Sequence, residues 1–243
     1  MVLCIAFFPQ LNLEELWVEL GKTKQLRHIP IHEIHKDLGT ARSRALLFFH
    51  AFTGCDTVSQ IGNAGKITAW KAWERSPPAL TSVFNHILDA CAIDIDSPTM
   101  QSIERFVIEL YSANLEASSV NLARQELFSH GKVQFDGIPP TLAALYEHTL
   151  RAMLQACYFW GQCLVTQQVV PKFDRMGWQF SQTLGVWVPL WSKLDDMSHA
   201  CSLIRHCGCK KGCQLNNNCG CRKAGFRCST ICACRGACCN NAS

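Results

Sequence analysis

Acidic residues are missing from the last part of this sequence. No Asp or Glu follows Asp196, whereas residues 201–243, here called the tail, contain seven basic residues. Because the whole chain has a net charge of +4, residues 1–200 carry a net charge of −3. This asymmetry indicates a polyanion as the partner of the tail. The basic residues of the tail are Arg205, Lys210, Lys211, Arg222, Lys223, Arg227 and Arg235.

Long hydrophobic runs are also missing. Residues 1–8 (MVLCIAFF) come nearest to a targeting segment, but they lack a basic leading region and are too short to span a bilayer. This excludes a membrane role, and we predict a buried strand for the segment and a soluble, unsecreted protein. The composition, 48% hydrophobic and 17% charged, is typical of a globular chain with a core. A length of 243 residues suits one ordinary domain plus a small module, or two small domains.

Motifs of several enzyme classes are absent. The chain has no phosphate-binding P-loop, no dinucleotide fingerprint and no Ser-His-Asp order. No repeat occurs with a period of 20 to 50 residues, so solenoids and propellers are excluded. We therefore predict no small-molecule substrate.

Cysteine is the residue that the tail has in abundance. Of sixteen cysteines in the chain, ten fall within residues 207–239. Three interpretations compete: disulfides, which need an oxidising compartment and tolerate adjacent pairs poorly; a metallothionein-like metal store; and a structural zinc cluster. The cysteines are Cys207, Cys209, Cys213, Cys219, Cys221, Cys228, Cys232, Cys234, Cys238 and Cys239.

We favour the zinc cluster because the tail has too few large apolar side chains to fold by burial. Metal binding would then have to supply the free energy of folding. Two separate four-thiolate zinc ions would use eight cysteines, whereas three ions can share nine cysteines if three of them bridge. The repeated C-x-C steps favour bridging, since neighbouring thiolates would then serve different metals.

The cysteine spacing, with lysines after the first C-x-C, resembles one copy of the tesmin-type CXC domain. That resemblance implies two or three zinc ions, duplex DNA as the partner and a nuclear location. It implies phosphate contacts by Lys210, Lys211, Arg222, Lys223 and Arg227. Asn218 stands where that family usually has tyrosine, and Cys238 and Cys239 compete for the last ligand position. The matching residues are Cys207, Cys209, Lys210, Lys211, Cys213, Cys219, Cys221, Gly225, Cys228, Cys232, Cys234, Cys238 and Asn240.

The rest of the chain is predicted to be mostly helical. Apolar spacing predicts helices over residues 12–20, with Asn12 and Glu15 as a capping box, and over residues 41–52. An extended piece is predicted between them, around residues 27–31. Three further helices are expected to open at Pro77-Pro78, Ser97-Pro98 and Pro139-Pro140, the last running to about residue 160. Residues 169–191 contain glycines, prolines and aromatic residues, which favour a hairpin over a linker.

Residues 51–74 (AFTGCDTVSQIGNAGKITAWKAWE) resemble the helix-three-turn-helix of the flap endonuclease group of PIN-like nucleases. That resemblance implies that Asp56 is a metal ligand, with Mg²⁺ as the ion, and that Gly62, Gly65 and Lys66 grip the DNA backbone. The alternative is a structural helix-turn-helix that packs Ile61, Ile67 and Trp70 into the core. Because Asp56 has no obvious carboxylate companions, we predict no catalysis from this chain alone.

Nearly the full chain also resembles a set of animal proteins derived from mobile elements. The shared segments begin with ELW (residues 15–17) and R-x-I-P-x-H-E-I (residues 27–34). They continue with TGCDT (residues 53–57), WGQ (residues 160–162) and G-W-x-P-x-W (residues 185–191, interrupted here by Val186), and they end with a single CXC tail. That set has no established activity, so the resemblance implies none.

The predicted fold is thus mainly α. It consists of a truncated α/β PIN-like remnant and a helical bundle, followed by a small irregular zinc-cluster module. Its four segments are the remnant (1–75), a helical region (76–165), a hairpin or linker (166–200) and the CXC module (201–243). The leading hypothesis is a zinc-dependent DNA-binding protein. The alternatives are a fragment of a metal-dependent structure-specific nuclease and a zinc-stabilised protein-interaction module.

Overall fold

The computed structural model describes residues 1–22, 26–129, 137–191, 208–209, 219–223, 228 and 232–234. The chain forms two units. The larger contains residues 1–124 and 134–192, and the smaller contains residues 125–133 and 193–243. The described part is mainly α with a cysteine-rich C-terminal module, which confirms the predicted fold class. Within that part, no helix is both long and apolar enough to cross a membrane. The division into four segments stays a prediction.

The first thirty residues differ most from the prediction. Residues 1–8 do not form a strand: helix α1 (Val2–Phe7) begins the chain and is followed by a 3₁₀ turn (Phe8–Leu11). The segment has no pairing strand among the described residues, so its backbone hydrogen bonds are made locally, beginning with Ile5 N to Met1 O at 3.1 Å.

The prediction of a helix over residues 12–20 is also wrong. Asn12 adopts a left-handed conformation (φ 51°) that ends the 3₁₀ turn, so it caps no helix. Strand β1 (Trp17–Leu20) pairs antiparallel with β2 (Arg27–Pro30), with Trp17 opposite Pro30 and Leu20 opposite Arg27. Cross-strand pairing therefore overrides the helical spacing of the leucines. The extended piece predicted around residues 27–31 is confirmed.

Helix α2 (Ile31–Phe52) is the central element of the larger unit. It begins ten residues before the predicted helix and is broken at Gly39, whose φ of 72° and ψ of 162° are not helical. Its C-terminal half is apolar and buried, and α1, α4 and α7 all pack against it. A glycine loop follows and leads into α3 (Lys66–Arg75).

The proline-opened helices form as predicted. They are α4 (Ala79–Ala90), α5 (Pro98–Tyr111) and α7 (Leu142–Met153), with α7 continued by a π-helical turn (Leu154–Trp160); α6 (Val120–Ser129) was not predicted. Two starts carry side-chain caps: Ser97 Oγ accepts from Met100 N at 3.1 Å, and Thr141 Oγ1 accepts from Ala144 N at 3.2 Å. The helix boundaries are thus set by local chemistry.

The aromatic segment forms the predicted hairpin. A 3₁₀ turn (Phe173–Arg175) leads into β3 (Trp178–Ser181), which pairs antiparallel with β4 (Val186–Pro189). Among the described residues, the only sheets are this hairpin and the β1–β2 pair. The parallel sheet of a complete α/β domain is therefore not present in the described part of the chain.

Aromatic rings packed at tilted and edge-to-face angles form the centre of the core. Phe84 of α4 is fully buried, and its ring centroid lies 5.4 Å from those of Phe48 and Trp73 and 5.7 Å from that of Phe106. Four helices meet at this ring. Ile61 is buried as the structural alternative predicted, but Ile67 is 74% exposed, so that part of the prediction is wrong.

The buried end of α2 requires partners for its last four carbonyl groups. Phe49 O accepts from the Thr53 side chain at 2.7 Å, and Ala51 O accepts from Gly54 N at 3.1 Å. Two residues distant in sequence complete the set. The remaining acceptors are His50 O, bonded by Lys66 Nζ, and Phe52 O, bonded by His148 Nε2 at 2.8 Å.

We predict that Phe84→Ala will lower the free energy of unfolding of the larger unit by about 3–5 kcal/mol, because it leaves a cavity among four helices. Ile67→Ala, which removes an exposed side chain, should change it by less than about 0.5 kcal/mol. Urea unfolding followed by tryptophan fluorescence measures both. Equal effects of the two variants would contradict the described core.

We also predict that His148 makes the larger unit less stable in acid. Burial lowers the pKa of His148 to about 4. Between its ordinary pKa of about 6.5 and pH 4, the unfolded chain binds a proton that the folded chain does not, so stability falls as pH falls. The loss is roughly 3 kcal/mol across this window.

The test compares His148→Gln, whose amide can donate to Phe52 O without titrating, with the wild type between pH 7 and pH 4. The variant should lose less stability than the wild type, whereas the exposed-site control His86→Gln should follow the wild type. Parallel pH profiles for all three proteins would show that His148 does not cause the loss.

Candidate metal centre

Six of the ten predicted cysteine ligands are described, and they lie together. Cys219, Cys221 and Cys232 are buried, and the partly exposed residues packed against them are Cys209, Cys228 and Cys234. The remaining predicted ligands, Cys207, Cys213, Cys238 and Cys239, lie outside the described residues. Among the described residues of the smaller unit, all the buried side chains belong to cysteines. Sulfur atoms therefore occupy the positions that apolar side chains have in an ordinary core.

A short helix positions the first cysteines of the cluster. Helix α8 (Gly220–Lys223) begins directly after Cys219 and contains Cys221, and Lys223 N donates to Cys219 O at 3.0 Å. The C-x-C step therefore places two thiols at the start of one helical turn. The third C-x-C step of the tail, Cys232 and Cys234, lies on a bend and turn.

The sulfur atoms form two groups that share one member. Cys219, Cys221 and Cys228 offer three sulfurs within 4.8 Å of one another, and so do Cys228, Cys232 and Cys234. Cys228 belongs to both groups, which is the arrangement that a bridging thiolate requires. The sequence spacing predicted bridging but did not identify Cys228 as the shared residue.

The sulfur–sulfur distances test whether zinc fits. Within the first group, Cys219 Sγ lies 3.8 Å from Cys228 Sγ, whereas the 3.7 Å between Cys221 Sγ and Cys232 Sγ joins one group to the other. Thiolates bound to one tetrahedral zinc at about 2.3 Å are about 3.8 Å apart, whereas a disulfide bond is about 2.05 Å long. None of the described cysteines forms a disulfide bond. The group is thus placed to hold a metal ion, and zinc fits it.

The electrostatics of the cluster follow from its burial. Burial, and then the hydrogen bond with Cys232, raise the pKa of Cys221 to about 11. Without a metal ion the Cys221 thiol is therefore protonated at neutral pH. Metal binding would release protons from such thiols, because only thiolates coordinate strongly.

Few of the predicted DNA-contacting cations of the tail are described. Arg222 and Lys223 both belong to α8, and the Lys223 side chain is exposed. Lys210, Lys211 and Arg227 lie outside the described residues, as does Asn218. Their contacts with DNA stay a prediction.

Asp56 is not part of a candidate metal site among the described residues. It is exposed in the loop after α2, where Cys55 N donates to Val58 O at 2.8 Å. Among the described residues it belongs to no group of three His, Cys, Asp or Glu side chains close enough to hold a metal ion. The predicted Mg²⁺ site therefore gains no support from the described carboxylates.

The three residues predicted to grip DNA have different surroundings. Lys66 Nζ donates inward to His50 O and, at 2.8 Å, to Thr53 Oγ1, and burial lowers its pKa to about 8. A Cβ at Gly62 would lie 2.4 Å from Tyr111 Oη, so the side chain of Tyr111 explains this glycine. Gly65 precedes α3 with open space around it. The DNA-gripping role of all three stays a prediction.

Comparison with known proteins identifies no relative: no protein-family model, curated protein or solved structure matches the chain. The resemblances to the CXC domain and to PIN-like nucleases therefore rest on the sequence motifs alone. The geometry of the sulfur cluster carries the functional argument.

We predict that Cys228→Ser will remove more bound metal than Cys234→Ser, because Cys228 belongs to both sulfur groups and a hydroxyl is a poor ligand for soft metals. Native mass spectrometry counts the metal ions, and thiolate-to-cobalt absorption reports sulfur coordination in the cobalt-loaded protein. Cys163→Ser, a substitution of an exposed cysteine in the larger unit, is the control and should leave the count unchanged. Equal metal loss in the variants at positions 228 and 234 would contradict a shared thiolate.

Proposed function

We propose that the tail is a zinc-stabilised module that binds duplex DNA. The observation that supports this most strongly is the pair of sulfur groups sharing Cys228, with 3.8 Å between Cys219 Sγ and Cys228 Sγ in the first group. These groups lie in a segment with seven basic and no acidic residues. A metal-folded surface of one charge sign suits a polyanion.

Zinc has a structural role in this proposal. The described ligands are Cys209, Cys219, Cys221, Cys228, Cys232 and Cys234, and they are joined by the predicted ligands outside the described residues. Thiolate coordination fixes the chain where apolar burial does not, so metal binding supplies the free energy of folding. The number of zinc ions, two or three, depends on how many thiolates bridge.

The charge balance leaves the module basic. Three zinc ions with nine thiolates have a net charge of about −3, and seven basic side chains exceed this. Lys210, Lys211, Arg222, Lys223 and Arg227 would contact phosphates, and counterion release would make the affinity salt-dependent. Nuclear localisation follows from DNA as the partner.

The larger unit has a smaller part in DNA binding. The Lys66 ammonium already donates two hydrogen bonds within the protein, so we assign most of the affinity to the tail. We propose no nuclease activity, because Asp56 has no companion ligands among the described residues.

We predict that the zinc-loaded full chain binds a fluorescent duplex with an affinity that falls steeply with salt. Arg222→Gln and Lys223→Gln should each reduce the slope of log K against log salt by about 1, since each removes one phosphate contact. Lys71→Gln, which removes an exposed cation on α3, should leave the slope unchanged. Fluorescence anisotropy across a salt series measures all four proteins.

Removal of the metal supplies the second half of this test. A chelator that strips zinc should abolish binding to the duplex, and added zinc should restore it. Salt-independent binding, or full binding by the metal-free chain, would overturn the proposal. Salt-independent capture of a protein partner by the zinc-loaded tail would instead support the interaction-module alternative.

A further inference from the structure

A cavity of about 390 Å³ lies within the larger unit. Its walls come from the loop of residues 59–63, the end of α5, α6, the segment of residues 138–140 and the buried face of α7. All of its described lining residues belong to the larger unit. This volume is within the range of small-molecule sites, about 300–1,000 Å³.

The charged side chains described in the cavity wall are both positive. Arg124 and Arg151 line it, and none of its described lining residues is Asp or Glu. His148 also lines it but is neutral at pH 7, because burial lowers its pKa to about 4. Glu147 interacts with Arg151, whereas no ion pair joins Arg124 to a carboxylate of the described residues. An anion is therefore the favoured occupant.

Arg124 is the arginine of the cavity wall that has no carboxylate partner among the described residues, so we assign anion binding to it. A guanidinium offers five N–H donors in a planar fork. Arg124 Nη1 donates to Pro139 O, whereas its Nε is buried with no partner among the described residues. Arg151 Nη1 is held by Gly177 O at 2.9 Å and Leu190 O at 3.3 Å, so that residue is fixed in place. The fork of an arginine matches the oxygens of a phosphate.

The other walls suit a flat ring with polar edges. Ile61, Ile138 and Leu145 are buried apolar residues, and Trp191 is 69% exposed at the border of the cavity. Aromatic side chains stack on nucleobases. Gln60 and Asn63 add neutral polar groups able to bond a base edge or a sugar.

We propose that this cavity binds a nucleoside monophosphate, with the phosphate at Arg124 and the ring against the apolar wall. The same chemistry has two sources: a free nucleotide, or the phosphorylated terminal nucleotide of a nucleic-acid strand. The close approach of Gly62 to Tyr111 shapes the loop side of this site. The proposal stands apart from DNA binding by the tail, since the described lining residues of the cavity all precede the tail.

Isothermal titration calorimetry of the zinc-loaded full chain tests the site with adenosine 5′-monophosphate as the probe. Saturable binding is expected, and adenosine and inorganic phosphate should each bind at least about tenfold more weakly, because each lacks one half of the recognised structure. No saturable binding of the nucleotide at millimolar concentration would overturn the proposal. Equal affinity for adenosine would overturn the role of the phosphate.

Matched variants test the residues. Arg124→Gln should weaken nucleotide binding about tenfold or more, since it removes a charge-assisted hydrogen bond, whereas Lys71→Gln should bind as the wild type does. Trp191→Ala, a substitution of an exposed side chain that should not unfold the unit, should also weaken binding. Unchanged affinity in the position-191 variant, or in a position-124 variant with the wild-type melting temperature, would contradict the assigned site.

Competition separates the two sources of the ligand. Displacement of a labelled nucleotide by a short strand with a 5′-phosphate, but not by the same strand without it, would assign the site to a strand end. Failure of both strands to displace it would assign the site to a free nucleotide. Equal displacement by both strands would contradict recognition of a terminal phosphate and overturn the proposal.

Discussion

The buried end of α2 is the constraint on which the larger unit depends. A helix that ends inside a core leaves four carbonyl groups without water, and each must accept a hydrogen bond from the protein. Thr53 and Gly54 supply local donors, while Lys66 and His148 reach the last turn from α3 and α7. These bonds, with the aromatic rings beneath them, fix α3 and α7 relative to α2.

This constraint also explains two titratable groups at the core. A helix C-terminus carries partial negative charge, so the Lys66 ammonium has a favourable place there although burial lowers its pKa. Phe52 O can only accept a hydrogen bond, so the His148 tautomer must carry its proton on Nε2. Lys66, to which the resemblance to PIN-like nucleases assigns a contact with the DNA backbone, donates hydrogen bonds to His50 O and Thr53 Oγ1 within the protein.

The sequence was sufficient where local chemistry decides the structure. Ser97 and Thr141 cap their helices, and the prolines beside them open α5 and α7, so those starts could be predicted without tertiary information. It was insufficient over residues 1–20, because an apolar run suits a helix or a strand equally and the cross-strand pairing of Trp17 with Pro30 decides between them.

For the metal centre, the cysteine spacing predicted the type of ligand. Which cysteine belongs to both sulfur groups, Cys228, depends on how the chain turns and could not be predicted. The cavity beside Arg124 had no sequence signal, because its walls come from distant segments.

Different interactions stabilise the two units. In the larger unit, rings such as Phe84 are fully buried, so the free energy of folding comes from apolar burial and needs no metal ion. In the described part of the smaller unit the buried side chains are Cys219, Cys221 and Cys232, and coordination of a metal ion, as proposed, would supply the free energy of folding there. Loss of metal should therefore remove the function of the tail and leave the cavity of the larger unit intact.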